Sequence, residues 1–151
     1  LLHPDARLAI VGSGPEEQRI RRIIRLVSDP EGVQILDNGE LGQAAIAMAE
    51  VYWQLDLSPT IAYELMAAMA NGRCVVASET PAHRRVVTHE QTGYLVAPDS
   101  RTEIGYWTDR VLSEPSLREA TGPEAAEQIR NRFDPSAAAT ELCEISRKLV
   151  D

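Results

Sequence analysis

The chain has 151 residues, is 44% hydrophobic and 25% charged, and carries a formal net charge of -8. That is enough length and apolar content for a domain with a sizeable core, and it excludes a disordered or fibrous chain. The acidic balance argues against unaided nucleic-acid binding, which needs basic patches to replace phosphate counterions. It still allows a nucleotide ligand, because one helix terminus can hold a diphosphate.

The elements alternate from the start. Leu8-Ala9-Ile10-Val11 is a short apolar run ending at Gly12-Ser13-Gly14-Pro15, which predicts a buried strand and a turn. Glu16 to Val27 follows as a helix, with Ile20, Ile23, Ile24 and Val27 at helical spacing and acids in the first turn. Val33 to Asp37 is a second strand, ended by Asn38-Gly39. Leu41 to Glu50 is an Ala-rich helix, and Val51 to Leu57 a third strand. Thr60 to Asn71 is almost wholly apolar and predicts a buried helix, closed by Gly72 as a C-terminal cap. Cys74 to Ser78 is a fourth strand, Glu79 to Val87 a loop with a short helix, and Thr92 to Val96 a turn and last strand. Three more polar helices follow, over about 102–113, 116–132 and 136–150, with breaks at Pro115 and Pro135.

This order predicts an α/β fold: a Rossmann-like three-layer domain with a mostly parallel sheet, its strands apolar on both faces. Cys74 and Cys143 form no CxxC pair, so neither a disulfide framework nor a metal site is expected, and a reducing cytoplasm fits. No apolar stretch approaches the roughly 20 residues of a membrane span. Leu1-Leu2-His3-Pro4 reads as the end of a helix begun upstream, so the chain is expected to be a piece of something longer.

Ligands of open α/β sheets bind outside the carboxyl ends of the strands. Two junctions have suitable chemistry. Gly12 and Gly14 would let a phosphate or a neighbouring domain approach the backbone, or would simply form a tight turn. At Leu57-Ser58-Pro59-Thr60, Ser58 is a good N-cap and Pro59 a favoured first helical residue. Free N–H groups there would suit a diphosphate, though a capped helix without a ligand reads the same way. The rival is a dinucleotide-binding fold, with Gly12-x-Gly14 followed by Asp37 about 20 residues on. Against it, Glu17 stands where the third glycine belongs, and its charge opposes a pyrophosphate. His83 and His89 lie near Glu79 and Glu90 without metal-helix spacing, and read as a solvated loop. His83-Arg84-Arg85 is a small basic cluster that would suit an anionic ligand or an exposed loop.

Several motifs together resemble a known family. Leu8-Ala9-Ile10-Val11-Gly12-Ser13-Gly14-Pro15 is similar to an apolar strand followed by GxGP, and Ala49-Glu50-Val51-Tyr52 to A-D-V-Y. Ala67-Ala68-Met69-Ala70-Asn71-Gly72-Arg73-Cys74-Val75-Val76-Ala77 is similar to E-A-M-A-x-G-x-P-V-V-A. Thr92-Gly93-Tyr94-Leu95-Val96-Ala97-Pro98 resembles T-G-x-L-V-x-P, and the run from Leu117 to Arg132-Phe133 resembles a pair of last helices with an R-F ending. In this order they resemble the C-terminal, donor-binding domain of group 1 retaining GT-B glycosyltransferases, over almost the whole chain.

The resemblance implies transfer of a sugar from a nucleotide-sugar donor to a glycan or lipid-linked acceptor. It implies a missing N-terminal acceptor-binding domain, through which peripheral membrane association would occur. No cofactor and no metal are implied. The donor would meet Gly12, Gly14, Ser58, Pro59, Thr60, Tyr63 and Glu64.

There are departures. The family's Glu, seven residues, then a second Glu fall here on Pro59 and Ala67, with Glu64 between them one face round the helix. Its loop Glu is Arg85 and its strand-end Pro is Cys74. The family's first strand and helix, with a Gly-Arg and a Lys-Gly that meet the diphosphate, have no match. That strand lies between those matching 8–11 and 51–57. It is therefore expected to be cut away or supplied elsewhere, and a continuous ladder between those strands would overturn the expectation. A non-catalytic partner or regulatory module of the same fold remains an alternative function, and a dinucleotide-binding domain a lesser one.

Overall fold

The computed structural model describes residues 3–27 and 29–150; Leu1 and Leu2, where a helix end was expected, lie outside them. The chain divides into two compact units, Leu1–Ala49 and Glu50–Asp151.

In the first unit, β1 (Leu8–Val11) pairs in parallel with β2 (Val33–Leu36), Leu8 opposite Val33 and Val11 opposite Leu36. Between them runs α1 (Glu17–Ile24), supported by an ion pair from Arg21 to Glu17 one turn earlier. It ends before the expected Val27 because its last turn tightens: Leu26 and Val27 donate to the carbonyls of Ile23 and Ile24, three residues back. After β2, α2 (Glu40–Met48) lies very close to β1. A Cβ on Gly42 would stand 2.2 Å from the Asp37 carbonyl oxygen and 2.7 Å from a Val11 methyl, so only glycine fits.

In the second unit, β3 (Val51–Gln54), β4 (Cys74–Ser78) and β5 (Tyr94–Val96) form a parallel sheet in that order. Between β3 and β4 lies α3 (Tyr63–Ala70). Gly72 closes it as the sequence predicts, with φ +69°. The Gly72 N–H donates to the Met69 carbonyl at 2.9 Å and the Arg73 N–H to Ala68 at 3.0 Å, a Schellman turn. Beyond β5 come α4 (Arg101–Ser113), α5 (Pro115–Arg132) and α6 (Pro135–Val150). α4 starts at Arg101 because the Ser100 hydroxyl caps the Glu103 N–H. The prolines expected as breaks open the next two helices, since the first helical position needs no N–H.

The core lies in this second unit. Every residue of β4 is buried. Alternation sends Cys74 and Val76 to one face, where they pack with Tyr94, Val96 and Val111, against Ile104 and Trp107 of α4. Tyr94 and Trp107 stack with ring centroids 4.4 Å apart. Leu65, Ala68 and Met69 make α3 the buried helix that its composition predicts. Against its closing turn packs α5, where a Cβ on Gly122 would stand 2.3 Å from the Gly72 carbonyl oxygen.

The α/β class and parallel pairing are as expected. In place of one sheet, however, the described residues form two, and no ladder joins β1 to β3.

Candidate functional site

At the Ser58-Pro59 junction the structure corrects the sequence reading. β3 ends at Gln54, not Leu57, and α3 begins at Tyr63, not Thr60. Ser58 is not the N-cap and Pro59 is not the first helical residue. The N-cap position is Ala62, and no side chain caps it. The cause is Asp56, which accepts the Ser58 N–H at 3.1 Å and closes a turn two residues long. The Ser58 hydroxyl then accepts the Thr60 N–H at 3.2 Å and lies 2.8 Å from the Thr60 hydroxyl. A second local turn thus takes the place of the first helical turn.

Delaying the helix has an electrostatic consequence. α3 starts with its first N–H groups unmet by any side-chain cap, and they carry the positive end of the helix dipole. Tyr63, 68% exposed, and Glu64, also exposed, sit in that first turn. Beside it a polar chain runs along the end of β3. The Tyr52 hydroxyl donates to Gln54 Oε1 at 2.8 Å, and the Gln54 amide donates to Asp56 Oδ2. Burial pushes the Tyr52 phenol up to about 12, and the carboxylates of Glu64 and Asp56 add to the shift.

The next strand end supplies His83. The sequence reads it as part of a solvated loop, yet it is fully buried in a 3-10 turn, His83–Arg85. Its N–H donates to Thr80 Oγ1 at 3.1 Å, and its ring Nδ1 lies 2.7 Å from the Ser78 carbonyl oxygen. Nε2 faces Asp56 Oδ1 at 3.5 Å, an electrostatic approach too long for a hydrogen bond. Its neighbour Arg84 is paired with Glu79 at 2.9 Å, and Arg85 is exposed. α5 fixes this segment by its main chain: Gln128 donates to the Val86 carbonyl and Arg132 to that of Arg85.

Ser58, Pro59, Thr60, Tyr63 and Glu64 are thus gathered around the start of α3. Sequence reasoning missed Asp56, Gln54 and Tyr52, and it read His83 as part of a basic cluster for an anionic ligand or an exposed loop, not as a buried side chain. An aspartate two residues before a serine is an Asx-turn signal that would have exposed the first of these. In the first unit, Gly12 and Gly14 line a hollow of about 240 Å³ with Ser13, Pro15 and Ile20. Gly12 has φ +139° and donates to the Leu36 carbonyl at 2.8 Å, so its conformation requires glycine. Nothing stands within 4 Å of a Cβ added at Gly14, so its space is open. Asp37, the candidate ribose acid of the dinucleotide reading, accepts the Gly39 N–H at 2.9 Å in the turn before α2. Among the described residues no group of three or more His, Cys, Asp or Glu is arranged to hold a metal ion.

Parallel βα units and an open helix terminus at the strand ends define a Rossmann-like α/β domain. The chain belongs to the group 1 glycosyl transferases, whose family model matches residues 1–128. It is 33% identical to a phosphatidyl-myo-inositol mannosyltransferase of Mycobacterium leprae, over 93% of this chain and 37% of that protein. Its fold matches the crystal structure of Anabaena HepE in complex with UDP-glucose, with a TM-score of 0.84 at 18% identity, over 96% of this chain and 42% of that one. It also matches the C-terminal domain of the group 1 glycosyl transferase LpcC of Francisella tularensis, with a TM-score of 0.75 at 16% identity, over 88% of this chain and 72% of that one. The chain therefore spans well under half the length of the mannosyltransferase and of HepE. Among the described residues no helix is long and apolar enough to cross a membrane.

Proposed function

We propose that this chain is the donor-binding domain of a glycosyltransferase that moves a sugar from a nucleotide-sugar to a glycan or lipid-linked acceptor with retention of configuration. The observation that carries this reading is the open start of α3 just after the carboxyl end of β3. The donor's diphosphate would lie against those N–H groups, which would stabilise the charge that grows on it as the sugar leaves. Thr60 and Tyr63 would border it, Ser58 and Pro59 would hold the approach, and Glu64 would meet hydroxyls of the donor; Gly12 and Gly14 of the first unit are further candidates for contact with the donor. Family membership supports the reading, as does the mannosyltransferase relative.

The same reading includes an acceptor-binding domain N-terminal to this one, and the family's first strand and helix with their Gly-Arg and Lys-Gly. This domain alone would not turn over. Its location would be cytoplasmic, with any membrane association made by the acceptor-binding domain.

Thermal shifts of the full chain with UDP-, GDP- and dTDP-sugars test it. A donor at about 100 times its Kd stabilises by about 2.7 kcal/mol, a shift of several degrees. No shift with any donor overturns the proposal. One observation favours a second reading, a non-catalytic module: neither Pro59 nor Ala67 offers a carboxylate. Donor binding without turnover, together with a co-purifying active glycosyltransferase, would decide for it. An NAD(P)H fluorescence titration is expected to give no signal, because Glu17 opens α1 and Asp37 is tied to its own turn.

A further inference from the structure

Between the end of β3 and the turn after β4, two hydrogen-bond acceptors face each other with no hydrogen between them. The Ser78 carbonyl can only accept, so His83 Nδ1 carries the hydrogen of the bond they share. Nε2, on the other side of the ring, then presents a lone pair. It is sealed from solvent and has no hydrogen-bond partner among the described residues. It faces Asp56 Oδ1, 3.5 Å away, which is an acceptor too. A buried polar atom left in this way costs on the order of 1–3 kcal/mol and calls for a cause. A neutral imidazole and a carboxylate repel in this arrangement. One proton placed between them turns the repulsion into a charge-assisted hydrogen bond.

The surroundings decide when that proton arrives. The Ser58 N–H fixes one oxygen of Asp56 and the Gln54 amide the other, so the carboxylate stays opposite the ring. Among the described residues the basic group paired with Asp56 is His83 itself. On α3, Glu64 adds a second negative charge, and both carboxylates are felt at Tyr52 of β3. On the segment after β4, Arg84 is tied to Glu79 and Arg85 is exposed, while Arg132 of α5 holds the Arg85 carbonyl. A diphosphate arriving at the start of α3 therefore meets carboxylates. Its charge makes an ionised Asp56 less favourable and an imidazolium more so. Both changes favour a proton in the gap.

We propose that Asp56 and His83 couple donor binding to proton uptake: the nucleotide-sugar binds together with one proton, taken from solvent and held between His83 Nε2 and Asp56 Oδ1. The proposal rests on the donor-binding reading above and adds a regulation to it. The proton cancels the charge of the Asp56 carboxylate beside the diphosphate, so the donor binds more tightly as pH falls. By reciprocity, departure of the nucleotide releases the proton.

Calorimetric titration of the full chain with UDP-glucose, GDP-mannose and dTDP-glucose tests this, in buffers of different ionisation enthalpy and across the pH range in which imidazoles change charge. Both phosphates of these ligands are diesters and keep their charge over that range, so a proton taken up belongs to the protein. The wild-type chain is expected to bind at least one of the three with net proton uptake, and about fivefold more tightly at the acid end than at the alkaline end, a coupling of ordinary size between two sites. Asp56→Asn and His83→Gln each place an amide N–H in the gap, a hydrogen present at every pH. Both are expected to bind without proton uptake and with a flat pH profile. Asp56 is half-exposed, so its variant carries the test where His83→Gln does not fold. Nitrogen NMR supplies a readout that a packing role would leave still: the His83 Nε2 resonance should move from its unprotonated to its protonated position when the donor is added. Binding without proton uptake overturns the inference and leaves the donor-binding reading intact. So does an Nε2 resonance that stays unprotonated with donor bound, or uptake that persists in Asp56→Asn, because the proton then sits elsewhere. Failure of the wild-type chain to bind any of the three overturns the donor-binding reading, and the inference with it.

Discussion

The two units are written in the same pattern and reach different degrees of burial. Each alternates short apolar strands with helices. In the second unit β4 is buried along its whole length. In the first, β1 is exposed at Leu8 and Ala9 and half-buried at Ile10 and Val11. Among its described residues only Gly32, Gly42 and Ile46 are buried, while Leu26, Leu41 and Met48 are 82%, 69% and 78% exposed. Periodicity thus tells which face of an element can be buried. It does not tell whether anything covers it, because covering is a property of the layers on either side.

Core truncation should break this comparison most sharply if it is mistaken. Leu65 is fully buried, so Leu65→Ala is expected to lower stability by about 3 kcal/mol, whereas Leu8→Ala, at a 38% exposed position, should cost under about 1 kcal/mol. Urea unfolding of both variants decides it; equal losses would end the distinction. Next comes the glycine contact. Gly122→Ala would drive a methyl into the Gly72 carbonyl, rigid backbone on both sides, and should cost about 2 kcal/mol by the same measurement.

Alkaline pH probes the second unit alone. Tyr52 and Tyr94 are both raised from 10.0 to about 12, chiefly by burial. The unfolded chain gives up these protons first, so the stabilisation is complete below pH 10 and is lost as pH rises through about 12. Urea midpoints should fall across that window, and less steeply in Tyr52→Phe. The smallest effect is expected at Gly14, where an added methyl meets nothing within 4 Å. Gly14→Ala should shift stability by no more than about 0.5 kcal/mol. A drop in donor affinity with that stability retained would tie the turn to the ligand.

Much of the fold was legible. β4 runs from Cys74 to Ser78 as its composition predicts, and the glycine after α3 closes it as a Schellman turn. Other boundaries moved by a few residues, where terminal turns tighten or a proline is accepted at a helix start. The site was less legible, for a specific reason. Ser58-Pro59 carries every local mark of a helix start, and a single aspartate two residues earlier redirects it by capturing the Ser58 N–H. Local propensity lost to a local hydrogen bond of similar size. The burial of His83 was missed differently. Flanked by Arg84 and Arg85 it reads as surface, and only the turn of the chain after β4 carries its ring inward.

The grip of α5 on that turn bears on how sequences can drift. Gln128 and Arg132 hold carbonyl oxygens, which every residue at positions 85 and 86 would present alike. The clamp is blind to side-chain identity. Position 85 can therefore exchange a glutamate for an arginine, reversing its charge, with the backbone anchorage unchanged. The loop's chemistry is free to diverge while its shape is inherited.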